Sequence, residues 1–484
     1  MSLVVVPPLT DPTLVRPRPE GADLLDLNAS FLRRAVTADR LLALAEEDDR
    51  AEATPDQALG VLFARASARI LELGTRDDAR LRALGYGLRS GGDDVLTLAL
   101  DDLEIRGGTT QRLSDVLAAA RRTRLWEEEA AELARAAGLG ERVEIVVDTD
   151  QQLPAAVALL RGRPEGTVLS GEHANAHRAV LERALDVPVV PGERLRERTV
   201  ARSGGDGPLW VTRAEHWRSG REWVGWCGGG ELDRMPKEAL DLCRGLVLTV
   251  AEADRDGTVT DSWGRRGSAA PLVSPLPADV PVRADLVVGA PGVSGRAALG
   301  TARLLAEGVL GRPVSLAGAR PFRLAPYSEW PRVEDLEPRG DLPVWFEFTA
   351  PGTLTPRERD AVVAEILASP ELTRDLLPGR VAGAVLAPTG APGEPDGPVR
   401  GRDLLWDPSA QVVTVHRAAC DDRGPGHFIA DLRTGRVRRL PAPLLDVLSA
   451  CARGETAALD RLPAKAFRRV TEPLLAARIL RGTT

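Results

Sequence analysis

Apolar positions along this chain fall into short blocks that alternate between the two-residue period of strands and the roughly 3.6-residue period of helices. Leu3–Val6 is a β run closed by Pro7-Pro8, and Ala22–Leu27 is a second apolar run. Asn28 or Ser30 can then cap a helix predicted from Phe31 to Glu46. Thr54-Pro55 opens the next helix with proline in its first turn and Gly74 as its stop; Leu62, Ile70 and Leu71 lie on its apolar stripe. Gln111–Ala137 reads as one long helix ending at Gly138. Glu127-Glu128-Glu129, just after Trp126, reads as a solvated face of it.

The alternation then becomes regular. Val143–Val147 predicts a strand, Leu153–Leu160 a helix, Thr167–Leu169 a strand, His173–Leu185 a helix and Val187–Val190 a strand. Such units build parallel sheets with right-handed crossovers, and ligands sit beyond the strands' C-terminal ends. Those ends carry Asp148, Asp150, Ser170-Gly171-Glu172 and Pro191-Gly192-Glu193. Gly171 and Glu172 are therefore candidate anion- or cofactor-binding residues.

Ser203-Gly204-Gly205-Asp206-Gly207 suggests a linker or loop. Trp210, Trp217, Trp223 and Trp226 follow, near His216 and Cys227; such a cluster is either packed core or a pocket wall. Strand Asp285–Val288 runs into Gly289-Ala290-Pro291-Gly292-Val293-Ser294-Gly295-Arg296 and a helix to about Val309. Gly289, Gly292, Ser294 and Gly295 form a second candidate anion or cofactor site, with a plain strand-to-helix turn as the alternative. Arg296 stands where a P-loop carries lysine, which weakens a nucleotide-hydrolysing reading. Pro343–Phe348 is strongly β, and Thr355 and Pro356 open a helix to Leu367. Pro388–Arg402 reads as a linker.

The last eighty or so residues predict three strands, Val412–His416, His427–Asp431 and Arg436–Leu440, with turns at Asp421–Gly426 and Thr434-Gly435. Three helices follow, Pro443–Ala452, Glu455–Leu462 and Lys465–Leu480. This is the size of one winged-helix unit, and it holds no catalytic set. The chain thus reads as α/β throughout, in divisions near 1–195, 196–400 and 405–484.

Composition narrows the partners. Net charge is −7 with 27% charged residues, which argues against a generic nucleic-acid binder. Only Lys237 and Lys465 are lysines, so 61 of the 63 basic residues are arginine; this points to a GC-rich bacterial genome and leaves few Schiff-base candidates. No stretch approaches the ~20 apolar residues of a membrane span, and no signal segment is evident, so a soluble cytoplasmic protein is expected. Cys227, Cys243, Cys420 and Cys451 are too scattered for a local zinc or iron–sulfur motif. His173 and His177 sit one helical turn apart after Glu172, but no third ligand is nearby, and surface or polar packing is favoured over metal. His216, His416 and His427 stand alone. No GxSxG motif supports a serine hydrolase, and no catalytic residue is assigned.

Several segments carry family resemblances. Val4-Val5-Val6-Pro7-Pro8, Asp26-Leu27-Asn28, Leu169-Ser170-Gly171 and Gly192-Glu193, in that order, resemble the N-terminal cobalamin-binding-type domain of B12-dependent radical SAM enzymes. The run from Val344 to Ile366 resembles a strand and helix of the radical SAM barrel, although the cysteine cluster motif is absent. Those resemblances imply a Rossmann-like domain and a degenerate barrel, with cobalamin or SAM as possible cofactors. Residues 426–480 resemble the PqqD-like recognition element of ribosomal peptide natural-product pathways. That resemblance implies leader-peptide binding as an added strand against the last helix, with Arg436, Val437, Arg438, Phe467, Arg468 and Val470 as the contact set. Phe467, Val470 and Leu474 can equally be core. The reading that follows is an accessory protein of peptide maturation that presents a precursor peptide to a partner enzyme. The alternatives are an active cobalamin-, SAM- or nucleotide-using peptide-modifying transferase and a ligand-sensing DNA-binding regulator.

Overall fold

A computed structural model describes the chain except residues 1, 17–20, 51–54, 74–76, 101, 139–141, 163–164, 192–197, 201–206, 327, 331–333, 339, 370–371, 373–399, 416–425 and 483–484. Gly74, the Gly192-Glu193 turn, the linkers at 203–206 and 388–399, His416, Cys420 and most of the Asp421–Gly426 turn lie outside the described residues. The chain forms two compact units, Met1–Leu32 with Gly92–Thr389, and Arg33–Gly91 with Gly390–Thr484. Residues 33–91, which the sequence reading placed with the first division, thus group with the C-terminal module.

The first unit begins with β1 (Ser2–Val6), β2 (Leu14–Val15) and β3 (Ala22–Asp26), followed by α1 (Leu27–Ala35). The chain then passes through α2 (Ala38–Arg50), α3 (Pro55–Leu73) and α4 (Asp77–Ser90) of the second unit. Back in the first unit it forms β4 (Arg142–Val146), α5 (Leu153–Leu159), β5 (Val168–Ser170), α6 (Glu172–Ala176) and α7 (Arg178–Leu185). The first sheet has the order β3-β1-β4-β5, wholly parallel, with Val4 opposite both Leu24 and Glu144. Val189 adds a single parallel bridge to Leu169, where a full strand was expected. Val5, Val143, Ile145 and Leu169 are fully buried, as strands covered on both faces must be.

A second sheet in the same unit contains β6 (Thr199–Val200), β7 (Leu209–Val211), β8 (Trp223–Gly228), β9 (Cys243–Val250), β10 (Val282–Val288) and, after α8 (Gly295–Glu307), β11 (Ser315–Pro321). Its order is β11-β10-β9-β8-β7-β6-β2. Strands β7 to β11 are parallel and lie side by side in chain order, while β2 and β6 add antiparallel at one edge. The core on one face gathers Trp223, Leu246, Leu248, Val282, Leu286 and Leu305; Trp210, Val224 and Val247 pack on the other. The tryptophan cluster is therefore divided between two packing faces. Trp223 is completely buried, and its indole N–H donates to the Ala239 carbonyl at 2.6 Å. Farther on, β12 (Phe346–Thr349) precedes α9 (Pro356–Ala368). Thr355 caps α9 as predicted: its hydroxyl accepts from the Glu358 N–H, and the Glu358 carboxylate accepts from the Thr355 N–H.

Three expected helices are broken. The one over Phe31–Glu46 divides into α1 and α2, with Thr37 Oγ1 accepting from the Arg40 N–H at the restart. The one over Gln111–Ala137 divides into Leu113–Arg122 and Glu127–Ala136, because Thr123 turns away to donate to Asp93 at 2.6 Å. Trp126 fills the break and is buried; Glu129, expected on a solvated face, is buried too. The helix over His173–Leu185 divides at His177 into α6 and α7.

The second unit contains, besides α2, α3 and α4, the strands β13 (Leu404–Trp406), β14 (Ala410–Val415), β15 (Gly426–Asp431) and β16 (Arg436–Leu440). Then come α10 (Leu445–Ala452), a 3-10 helix at Thr456–Arg461, α11 (Ala464–Ala476) and β17 (Leu480–Gly482). The antiparallel sheet runs β14-β15-β16. One face carries Val412, Ile429 and Leu440 into a core with Leu448, Leu459 and Leu474; the other carries Val413, Val415 and Ala430 against Val61, Leu62 and Ala66. The predicted last helix stops early. Arg478 takes a left-handed φ of 56°, and Leu480–Gly482 pairs antiparallel with Leu404–Trp406, closing the module on its own first strand.

Candidate functional site

Two places combine exposed chemistry with defined geometry. In the first unit these are the C-terminal ends of the parallel strands. Beyond β4, Asp148 pairs with Arg16, while Arg198 stands 3.9 Å from the same carboxylate oxygen. Burial, with Arg198 beside it, lowers the Arg16 guanidinium to about 9. Between the ends of β1 and β4 the sheet reverses its winding, the usual place for a ligand. Here Gln152 donates to Thr10 Oγ1 at 2.7 Å and accepts from the Asp148 and Thr149 N–H groups, and Asn28 donates to the Thr10 carbonyl at 2.9 Å. These hydrogen bonds bridge the crevice between the ends of β1 and β4.

Gly171 and Glu172 sit at the end of β5. Gly171 has φ +103°, and a Cβ there would fall 2.4 Å from the Val147 carbonyl oxygen, so glycine is required by the strand crossing itself. Glu172 is half-exposed and lies 4.0 Å from His216 Nε2; His216 Nδ1 bonds Thr212 at 3.1 Å. His173 and His177 do meet, with ring centroids 4.6 Å apart, despite the helix break. His173 is buried, which lowers its pKa to about 3, and its Nε2 has no partner. Among the described residues no group of three His, Cys, Asp or Glu gathers to hold a metal.

The Gly289–Gly295 turn joins β10 to α8. Gly289 and Gly292 have φ of 86° and 76°. Ser294 Oγ is spent on the Ala297 N–H as the helix cap, and Gly295 lets Val362 of α9 approach, since a Cβ would fall 2.8 Å from its Cγ2. Gly289 clears Arg359 in the same way. Gly289, Ser294 and Gly295 therefore shape the junction of β10 with α8 and α9, while a Cβ at Gly292 would meet nothing within 4 Å. The nearby cavity lining, Phe322, Arg323, Trp345 and Arg359, was not singled out in the sequence.

In the second unit the candidate surface is β16. It is the outer strand of its sheet, and no described strand pairs with its far edge. The opposite edge strand, β14, is mostly buried, and Arg65 of α3 donates to its Thr414 carbonyl. Strand alternation separates the predicted contact set. Arg436 and Arg438 share a face with Leu440, the side on which α10 and α11 pack; Val437 lies on the side covered by α3. Arg436 and Arg438 are exposed, and no carboxylate among the described residues pairs with them. On α11, Phe467 and Val470 are half-buried against the same core as Leu440, and Arg468 is exposed. The structure thus places Arg436, Arg438, Phe467 and Val470 on one side of the sheet and separates Val437 from them.

No protein family, curated protein or solved structure matches this chain. Among the described residues, no helix is long and apolar enough to cross a membrane.

Proposed function

We propose that the second unit captures an extended peptide by adding it as a strand along β16, and that the protein serves ribosomal peptide maturation by holding a precursor leader for a partner enzyme. The observation that carries this is the asymmetry of the sheet: Arg65 of α3 donates to the Thr414 carbonyl on the edge strand β14, whereas among the described residues no strand pairs with the far edge of β16, and Phe467 and Val470 of α11 are half-buried against the core that holds Leu440. An open edge offers main-chain hydrogen bonds, and flanking side chains select the sequence. Arg436 and Arg438 favour acidic leaders. On this reading the module is PqqD-like and winged-helix-like. The parallel sheet of β1, β3, β4 and β5 is a cobalamin-domain-like remnant, and the in-order strands β7–β11 are a degenerate barrel.

Peptides displayed on phage and panned on the intact chain test this. The expected result is enrichment of extended acidic–apolar sequences that slow hydrogen exchange of the Arg436–Leu440 amides and lose about tenfold in affinity with Arg436→Glu and Arg438→Glu together. No enrichment, or bound peptides that leave those amides unprotected, overturns the proposal.

A further inference from the structure

Beyond the end of β11, in the first unit, lies a cavity of about 540 Å3. That lies within the roughly 300–1,000 Å3 range of small-molecule sites. Four of its lining residues, Phe322, Trp345, Phe346 and Phe348, are aromatic, in a chain that is only 4% aromatic. Phe322 meets Phe348 edge-on at 5.5 Å and Trp330 at 5.6 Å, so the rings brace one another. Phe322 is almost wholly buried, so the ring surface open to the cavity comes from the half-buried Trp345, Phe346 and Phe348.

The charge at its edge is positive. Arg323 lies over the Trp345 ring at 5.3 Å, and Arg359 reaches in from α9. None of the described lining residues is acidic. Arg359 Nη1 is anchored on the Phe322 carbonyl at 3.0 Å, while its Nε and the Thr353 hydroxyl are buried without a partner. Unsatisfied buried donors beside a cavity of mixed polarity are costly unless something accepts from them. Gly289 makes this placement possible, because any Cβ there would fall 2.4 Å from the Arg359 Cδ. The N-terminus of α9 also lines the cavity, but its Thr355 and Glu358 N–H groups are already spent within the capping box, and the guanidinium groups carry the formal positive charge.

We infer that this cavity binds a small molecule that joins a planar ring to an anionic group, the ring against Trp345, Phe346 and Phe348 and the anion at Arg359 and Arg323. A phosphate and a carboxylate both satisfy this chemistry. The inference is independent of peptide capture by the second unit.

Calorimetric titration of the intact chain separates the sources. AMP supplies ring and phosphate, indole-3-acetate ring and carboxylate, adenosine the ring alone, and inorganic phosphate the anion alone. The expected result is one-to-one binding of AMP or indole-3-acetate with a Kd below about 1 mM, and at least about tenfold weaker binding of adenosine and phosphate. Binding by AMP alone assigns the anion as phosphate, by indole-3-acetate alone as carboxylate, and by both as either. Arg359→Gln and, separately, the exposed Arg323→Gln should each weaken the bound probe about tenfold with an unchanged circular dichroism spectrum. If neither anion-bearing ring binds, if adenosine binds equally well, or if both arginine variants bind as the native chain does, the inference is wrong.

Discussion

Asp407 and Arg433, each almost wholly buried, face one another at 3.5 Å inside the second unit, and Arg481 of β17 closes on the same carboxylate oxygen. Arg433 also reaches Asp431 at 3.2 Å and the Ala477 carbonyl at 2.8 Å, so one guanidinium ties the sheet to the end of α11. Burial alone would raise the Asp407 pKa, but Arg481 and then Arg433 outweigh it and hold the carboxyl below its ordinary value. Removing one partner of a buried pair strands the other, so Asp407→Asn should cost about 3–5 kcal/mol in denaturant unfolding followed at the second unit. The depressed pKa adds a sign. Its stabilisation is complete above the unfolded value of 3.8 and is lost as pH falls through the lower folded value. Acid unfolding of the second unit should therefore lose part of its steepness in Asp407→Asn; an unchanged acid midpoint and slope would refute the assignment.

His173 makes the first unit sensitive at milder pH. Burial, then the nearby His177, lowers its pKa from 6.5 to about 3. Above 6.5 both folded and unfolded forms are neutral. Below it the unfolded chain takes up a proton that the folded chain refuses, so stability falls by up to about 1.4 kcal/mol per pH unit until pH approaches 3. Urea midpoints of the first unit, read between pH 7 and 5, should decline with this slope, and His173→Gln should flatten it. A slope unaffected by the substitution would assign the dependence elsewhere.

How far these features were legible depends on how local their causes are. The buried strands at Val143–Val147 and Asp285–Val288 show themselves through runs dominated by Val, Ile and Leu, because both faces are covered. The Thr355 cap is visible because all its chemistry lies within four residues. The break at Thr123 is not visible, since its partner Asp93 is thirty residues away. The pairing of Leu480 with Trp406 is hidden for the same reason, and so is the cover that α3 gives to one face of the β14–β16 sheet: apolar stripes announce burial without naming what they bury against. The aromatic cavity assembles Phe322 from the end of β11 with Phe348 from β12, and no spacing rule joins them. The Gly289–Gly295 turn did stand out, and in the structure Gly289 makes room for Arg359 and Gly295 for Val362 of α9.

Gly171 is where the first sheet tolerates no side chain. Its φ of +103° is strained for any other residue, and the Val147 backbone occupies the space a Cβ would need. Gly171→Ala should destabilise the first unit by about 3 kcal/mol or more, combining strained backbone with a forced shift of the strand crossing. Differential scanning calorimetry checks this. Gly292→Ala is the control, since its Cβ meets nothing within 4 Å and only the backbone term, about 1 kcal/mol, applies. Equal losses in the two variants would show that the Val147 approach contributes nothing.

The thiols offer a last measurement, one that separates buried from reactive cysteine. Cys227, Cys243 and Cys451 are all buried. Burial pushes each thiol up, to about 12 for Cys243 and about 11 for Cys451, and further for Cys227. Since the thiolate is the attacking species, a raised pKa and a closed environment both suppress reaction. In the native protein, Ellman's reagent should modify these three only as fast as the chain opens, and labelling should become rapid in denaturant. Peptide mapping by mass spectrometry identifies which thiols react. Rapid native labelling of Cys227 or Cys243 would mean that the core between β8 and β9 opens far more readily than its packing allows, since both lie among completely buried residues such as Trp223 and Leu248.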